Sequence, residues 1–460
     1  MCGIVGVHSI VDAPKAILEA LLMLQHRGQE ASGIALADGK EFMEPAPHRV
    51  LGTVSEFERD WPGFVPKKAL LGIGHVRYGT SGEHSSLANA QPLVLSSSLG
   101  PFSIAHNGDT PGFEEMQEKL QSRGVKFLST ADTEVIGQEI VARAETVETM
   151  QEAMLEALAG IKGAFALVMA TPSALVGCRD PLGYRPLSLG RLDDGWVLAS
   201  ESCAFDALRA EYIRDIEPGE LVWIDENGPQ SFRFGEPKPN RQQCVFELIY
   251  FSRPDSYVFG RYVDGMRKAL GEKLAEEVGI PKHEDMVFIG VPDSAMFAAE
   301  GYEKATGIRL RSSVLIRNHY TGRTFIEEGT EKRENGVRLK FNPLHREIEG
   351  KWVVLIDDSL VRGTTMRRLV RMMRENGAVG VTLLIASPPI LHPCYYGIDM
   401  KTYEQLRAAV EKGDIDKICT FVEADELHYL SLEGFRQVVG QDGSETKDFC
   451  LACFDGKHAL

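Results

Sequence analysis

The run KWVVLIDDSLVRGTTMRRLVRMMRENGAVGVTLLIAS, Lys351 to Ser387, constrains the fold of this chain more than any other segment. Val353 to Ile356 read as a buried strand, with Asp357 and Asp358 at its carboxyl end. Ser359 to Thr365 then turn into an amphipathic helix, and a second apolar run follows. Strand, helix and strand in that order make a βαβ unit, whose strands must lie parallel in one sheet. Open sheets of this kind bind ligands outside the carboxyl ends of their strands. Gly363, Thr364 and Thr365 would offer backbone N–H groups and hydroxyls at a helix N-terminus, where the partial positive charge suits a phosphate. Two adjacent acids beside such a cradle would hold ribose hydroxyls or a Mg²⁺ ion, although taken alone an acidic pair after a strand is also an ordinary helix cap.

The rest of the chain sets that unit in a larger plan. With a prior of ~150 residues per domain, 460 residues hold two to three domains. Hydrophobic residues at 43% and charged residues at 25% are those of a globular protein. Up to about Gly235 the chain is rich in short β-type runs punctuated by Gly, with helical patterns at Pro14 and around Met150 to Ala159 between them. This predicts an α+β sandwich over 2–235. Gly235, Pro237 and Pro239 mark a boundary, and from Cys244 strands alternate with amphipathic helices, predicting an α/β domain with a parallel sheet over 244–460.

Charge and composition limit the partners. Fifty basic against 66 acidic residues leave a net charge of −16, which argues against nucleic acid. No apolar run approaches the ~18 residues of a membrane span, and the N-terminal stretch has no charged leader, so a cytoplasmic location is expected. From Arg309 to Arg346 nine Lys or Arg stand against four Glu. That strip suits a small polyanion, or is a solvated loop. Part of it, from Gly322, is a long polar segment without period, of the kind that forms lids. GVPDS, ending at Ser294, is another strand end offering a hydroxyl and a carboxylate near a cation.

Cys2 follows Met1 directly. Removal of Met1 would leave a thiol beside its own α-amino group, which titrates near ~7.7–8.0 and can serve as the general base. HNGD, from His106, supplies an Asn side-chain amide and a Gly backbone N–H, both apt donors to an oxyanion; an Asn-Gly hairpin turn is the ordinary alternative. Arg77 can grip an α-carboxylate bidentately and Asp132 an α-ammonium, although each also reads as a surface charge or a helix cap. Together with Cys2 these residues form a complete glutamine pocket. Cys450 and Cys453 form a Cys-x-x-Cys pair, and with Cys244 and Cys394 they could hold Zn²⁺ or an iron-sulfur cluster equally well.

VVLIDDSLVRGTT resembles the phosphoribosyl pyrophosphate (PRPP) signature of type I phosphoribosyltransferases. MCGIVGV, QHRGQEASGIA, HVRYGT, AHNGD, TADTEVI and RDPLGYRPL resemble the N-terminal-nucleophile glutaminase domain of class II amidotransferases. Joined in one chain, they are similar end to end to the amidophosphoribosyltransferase family, which opens de novo purine synthesis. The resemblance implies that Cys2 attacks the glutamine amide, that Asn107 and Gly108 stabilise the oxyanion, and that Arg77 and Asp132 hold the amino-acid end. Ammonia would pass through a closed channel, with Tyr250 in its wall, to C1′ of PRPP. Asp357, Asp358, Ser359, Arg362, Gly363, Thr364 and Thr365 would bind PRPP, with Lys340 in the lid on its pyrophosphate. Ser294, Asp357 and Asp358 match the family's Mg²⁺ positions. Cys244, Cys394, Cys450 and Cys453 look like ligands of a structural [4Fe-4S] cluster, which leaves Cys178, Cys203 and Cys419 structural. A homotetramer inhibited by purine nucleotides is expected.

Departures from the family pattern are the lone Met1 where the clustered subgroup commonly carries a propeptide, Asp109–Thr110–Pro111 after the Asn-Gly pair, and Glu327, Glu328 and Gly329 in the lid. Alternatives are another class II amidotransferase, which would lack VVLIDDSLVRGTT, or a PRPP-sensing regulator on the same fold, which would not need Cys2, Arg77 and Asp132.

Overall fold

The computed structural model describes residues 1–43, 46–60, 69–79, 86–235, 240–318, 339–440 and 446–459. The segment from Gly322 through Leu339, with Glu327, Glu328 and Gly329, falls almost wholly outside them, as do Pro237 and Pro239 at the expected boundary.

Residues 3–233 build two stacked antiparallel sheets. The first has seven strands in the order Glu211–Asp215, Ser188–Leu192, Gly195–Ala199, Gly3–His8, Leu71–Arg77, Ala31–Ala37 and His48–Leu51. The second has six: Gly228–Arg233, Glu220–Asp225, Leu175–Arg179, Ala164–Ala170, Gly100–Asp109 and Leu93–Ser97. Alternation along each strand assigns side chains to layers. Ile4 packs between the sheets with Ile73, Ala105, Val168 and Leu198, whereas its neighbour Val5 packs outward against Ile17 and Leu21 of the helix Ala13–Met23. Helices Asp132–Ala144 and Met150–Ala159 cover the outer face of the second sheet. With both faces covered, every residue of Gly3–His8 is buried, which is why the run carries no polar alternation.

The second half has a four-stranded parallel sheet in the order Met286–Gly290, Trp352–Asp357, Gly380–Ile385 and Glu426–Tyr429. Val354, Ile356 and Leu384 face helices Val263–Val278 and Met296–Thr306. Val353, Leu355 and Leu383 face helices Thr364–Glu375 and Ile415–Val422 on the other side. The two halves share one core: Met1, Ala164, Leu182 and Tyr184 pack in the same cluster as Phe246, Phe251, Tyr396 and Met400. At the junction, Gln243–Cys244 pairs in parallel with Phe449–Cys450, joining the entry of the second half to its tail. Among the described residues no helix is long and apolar enough to cross a membrane.

Candidate functional site

Two sites lie on either side of that shared core. In the first, the strand Gly3–His8 runs antiparallel to Leu71–Arg77 with Gly3 opposite Val76, so Cys2 lands beside the end of the neighbouring strand. There the Cys2 Sγ lies 3.5 Å from the backbone nitrogen of Tyr78, which donates to it, and 3.7 Å from the Tyr78 carbonyl oxygen. Asn107 comes from the second sheet, inside the strand Gly100–Asp109, so the Asn-Gly pair is extended rather than a turn. Its Oδ1 accepts from the Cys2 backbone N–H at 3.0 Å. Its Nδ2 is fully buried and has no hydrogen-bond partner among the described residues. A buried donor left unmade costs free energy unless a ligand completes it, so this amide marks where an acceptor belongs.

Asp132 opens the helix Asp132–Ala144 with Ala131 as its cap, and it is 3% exposed. Its Oδ2 accepts from the Thr110 backbone N–H at 3.2 Å, and its Oδ1 lies 3.4 Å from His106 Nδ1. Burial pushes this carboxyl up, but His106 and the hydrogen bonds outweigh it and hold the group below the ordinary carboxylate value. Arg77, 4% exposed, closes its strand next to Tyr78. Cys2, Asn107, Gly108, Arg77 and Asp132 are therefore gathered at the facing ends of the two sheets, with His75 Nε2 3.3 Å from the His106 carbonyl oxygen bridging them.

Met1 is in place and 1% exposed, its sulfur against the Arg185 guanidinium. Burial foremost lowers its amino group to about 5. In this form the nitrogen of Cys2 is an amide, and the base that a free Cys2 amine would provide is missing.

The second site is a cavity of about 240 Å³ at the carboxyl end of the parallel sheet. It brings together Ser294, Lys340, Asp357, Asp358, Ser359, Arg362, Gly363, Thr364 and Thr365, the whole set expected from sequence for PRPP and Mg²⁺. Gly363 caps the helix Thr364–Glu375 at φ 74°, a left-handed conformation that side chains resist. Ser359 Oγ donates to Asp358 Oδ2 at 2.6 Å. Burial, and then the charge of Asp358, push the Asp357 carboxyl well above its ordinary value, with Lys340 opposing. Asp358 is raised too, by burial, against hydrogen bonds from Ser294 and Ser359. Two adjacent acids that resist ionisation are relieved by a cation or by hydroxyl donors. Among the described residues, no group of three or more His, Cys, Asp and Glu is arranged to hold a metal ion.

Aromatic side chains bridge the sites. Tyr78, whose backbone meets the thiol, also lines the cavity, together with Phe246, Tyr250 and Phe251, and its ring meets Phe251 edge-on at 6.1 Å. Tyr250 was expected in the wall of a channel and lies here in the wall of the cavity; Tyr78 was not assigned, although it follows Arg77 in HVRYGT.

Also unassigned from sequence was Arg27, in QHRGQEAS. It is fully buried, its Nε donates to the Cys2 carbonyl at 2.8 Å, and its guanidinium forks onto Glu247 at 2.8 and 3.0 Å while touching Glu201. His26 Nε2 lies 2.8 Å from Glu201 Oε1. Glu247 begins the π-helix Glu247–Phe251, so this network ties Cys2 to the wall of the second cavity. A wholly buried arginine requires partnered carboxylates. The motif holds the cation, but its partners lie 174 and 220 residues away.

Cys244, Cys394, Cys450 and Cys453 line one small pocket whose walls include Phe246, Ile398 and Met400, side chains that also line the 240 Å³ cavity. All eight cysteines are free thiols. Burial raises Cys244 to about 11, and burial with mutual repulsion raises Cys450 and Cys453 further, while Arg185 opposes at Cys244 and Cys450. The four sulfurs share the pocket with apolar side chains and with His458. Four thiols lining one pocket match the ligand number that either a zinc ion or an iron-sulfur cluster takes.

Residues 80–207 match the family described as glutamine amidotransferase domain. Amidophosphoribosyltransferase of Bacillus subtilis is 41% identical over 460 residues, covering 99% of this chain and 94% of that protein. The Synechocystis enzyme of the same name is 42% identical over 464 residues, covering 100% and 91%. Among solved structures, glutamine PRPP amidotransferase from B. subtilis complexed with ADP and GMP superposes with a TM-score of 0.89 at 41% identity, covering 100% of this chain and 97% of the other.

Proposed function

This chain belongs to the amidophosphoribosyltransferase family, and from that premise we propose how its own residues divide the work. The enzyme uses glutamine to aminate PRPP, giving 5-phosphoribosylamine, pyrophosphate and glutamate, the first step of purine biosynthesis. Once whatever precedes Cys2 is removed, the freed amine takes the thiol proton and the thiolate attacks the glutamine side-chain carbonyl carbon. Negative charge builds on the amide oxygen, where Asn107 Nδ2 and the Gly108 N–H receive it. The carbon–nitrogen bond then breaks with protonation of the leaving nitrogen, and water hydrolyses the thioester to glutamate. Arg77 and Asp132 hold the α-carboxylate and α-ammonium.

Ammonia crosses between Tyr78, Phe251 and Tyr250 and attacks C1′, breaking the C1′–oxygen bond to pyrophosphate. Ser359, Gly363, Thr364 and Thr365 cradle the 5-phosphate, while Arg362 and Lys340 supply positive charge. Ser294, Asp357 and Asp358 would hold Mg²⁺, which when bound neutralises pyrophosphate charge. Cys244, Cys394, Cys450 and Cys453 would hold a [4Fe-4S] cluster as a structural staple between the junction and the tail. The B. subtilis complex with ADP and GMP supports purine nucleotides as inhibitors. A homotetramer in the cytoplasm completes the reading, with light scattering as its test.

One observation carries the division of labour: Tyr78 touches the thiol with its backbone and walls the sugar-phosphate cavity. Replacing Cys2 by Ala tests it. Glutamine-dependent product formation should vanish while ammonia-dependent formation persists; a variant that still used glutamine would remove Cys2 from the mechanism.

A further inference from the structure

The oxyanion strand is held from the other half of the molecule. Lys401 Nζ donates to Asp109 Oδ2 at 2.7 Å, and Asp109 directly follows the backbone N–H assigned to the oxyanion. Asp109 is 5% exposed, so a charge there needs a partner. The same segment touches the strand a second time: Gly397, at φ 106°, lies so close that an added Cβ would be 3.1 Å from the Gly108 carbonyl carbon. Backbone contact and charge thus converge on Gly108 and Asp109 from one loop. Its other side faces the sugar phosphate. Asp399 and Met400 line that cavity, and Arg362 Nη2 donates to Asp399 Oδ2 at 3.1 Å. The Cys394 N–H donates to the Met400 carbonyl at 2.8 Å and closes the loop.

We infer that Lys401 is a positioning residue of the glutaminase site. Its ammonium holds Asp109, and through Asp109 it fixes the Gly108 N–H and the Asn107 amide at the spacing an oxyanion requires. The inference rests on the oxyanion roles proposed above for Asn107 and Gly108. Donors that act on developing charge serve the transition state more than the bound substrate. Their misalignment therefore lowers kcat and spares KM for glutamine.

The test is steady-state kinetics of the full chain, with glutamine and separately with an ammonium salt. Lys401→Met is expected to lower glutamine-dependent kcat about tenfold, the scale of a small misplacement. KM for glutamine and the ammonia-dependent rate should stay within about twofold. Lys401→Arg should restore most of the loss, Asp109→Asn should reproduce it, and the double variant should lose no more than the worse single one. Lys401→Gln, which keeps a polar N–H donor without the charge, replaces the Met variant if that fails to fold. An unchanged glutamine-dependent kcat, a change confined to KM, or a parallel fall of both activities would overturn the role. Asn107→Ala separates the two layers. Full glutamine turnover in that variant would remove the oxyanion assignment itself, whereas a loss there beside a neutral Lys401→Met removes only Lys401.

Discussion

The two sites are built in opposite ways. The residues proposed for the glutaminase come from 2, 77, 107, 108 and 132, on or just before strands of two different sheets and on one helix, and Cys2, Arg77, Asn107 and Asp132 are at most 7% exposed. The sugar-phosphate residues come mostly from one turn, Asp357 to Thr365, around an accommodating cavity. Each design suits its ligand. A thioester and free ammonia need rigid walls and little water, which the interior of a stacked sandwich provides. A polyanion needs many backbone N–H groups aimed at one point, which only a contiguous loop at a helix N-terminus supplies. The scattered site depends on global packing, and the local one depends on its own loop.

That contrast can be broken by substitution. The largest effect is expected at Cys2→Ala, where glutamine-dependent rate should fall on the order of 10⁴-fold or more, as for removal of other nucleophiles. Ammonia-dependent rate should remain within about twofold, so a shared loss would show that the sites are not separable. Asp357→Asn and Asp358→Asn should lower both activities together by about 10²–10³-fold, since a displaced pyrophosphate loses its electrostatic support whichever nitrogen source is used. A loss confined to glutamine would contradict the local design. Cys450→Ser should abolish bound iron and sulfide and lower Tm by roughly 10 °C or more, measured by metal analysis and calorimetry. An iron-free, colourless wild type holding one zinc per chain would dismiss the cluster.

Arg27→Met probes the buried network between the halves and should cost about 3 kcal/mol, because Glu201 is left with His26 alone and Glu247 with Arg185 at 3.6 Å. Burial pushes the Glu201 carboxyl up, but His26 and Arg27 outweigh it and hold the group well below its ordinary 4.5. A depressed carboxylate stabilises the fold above its unfolded pKa and loses that contribution as pH falls through the folded value. The gap between wild type and variant should therefore be widest near neutrality and narrow below about pH 4.5. Denaturant titrations at both pH values read it, and a pH-independent gap would place the effect in packing. The smallest effect is Thr149→Ala, which removes the capping box of Met150–Ala159 at about 1 kcal/mol and should leave both activities alone.

Legibility in the sequence followed the same divide. VVLIDDSLVRGTT could be read directly because its strand, turn and cradle are neighbours along the chain, and the structure adds one residue at each end of the expected strand, Trp352 and Asp357. The two-layer sheets were readable as short apolar runs, since burial on both faces removes polar residues. The glutamine pocket was reachable only as a set of motifs, because no spacing along the chain puts 2 beside 107. Arg27 with Glu201 and Glu247, and Lys401 with Asp109, were out of reach for the same reason: an ion pair between distant residues leaves no local pattern. Tyr78 was hidden by its neighbour, as one motif held both a gripping cation and a wall residue.

The burial of Met1 carries a consequence for timing. Its side chain lies under Arg185, whose Nε also donates to the Tyr396 carbonyl at 3.1 Å, so the residue before Cys2 is packed where the two halves meet. A peptidase cannot reach a bond sealed in this way. Removal of whatever precedes Cys2 belongs to the interval before the second half closes, and protein folded unprocessed should fail to use glutamine, while still using ammonia, however much peptidase is added afterwards.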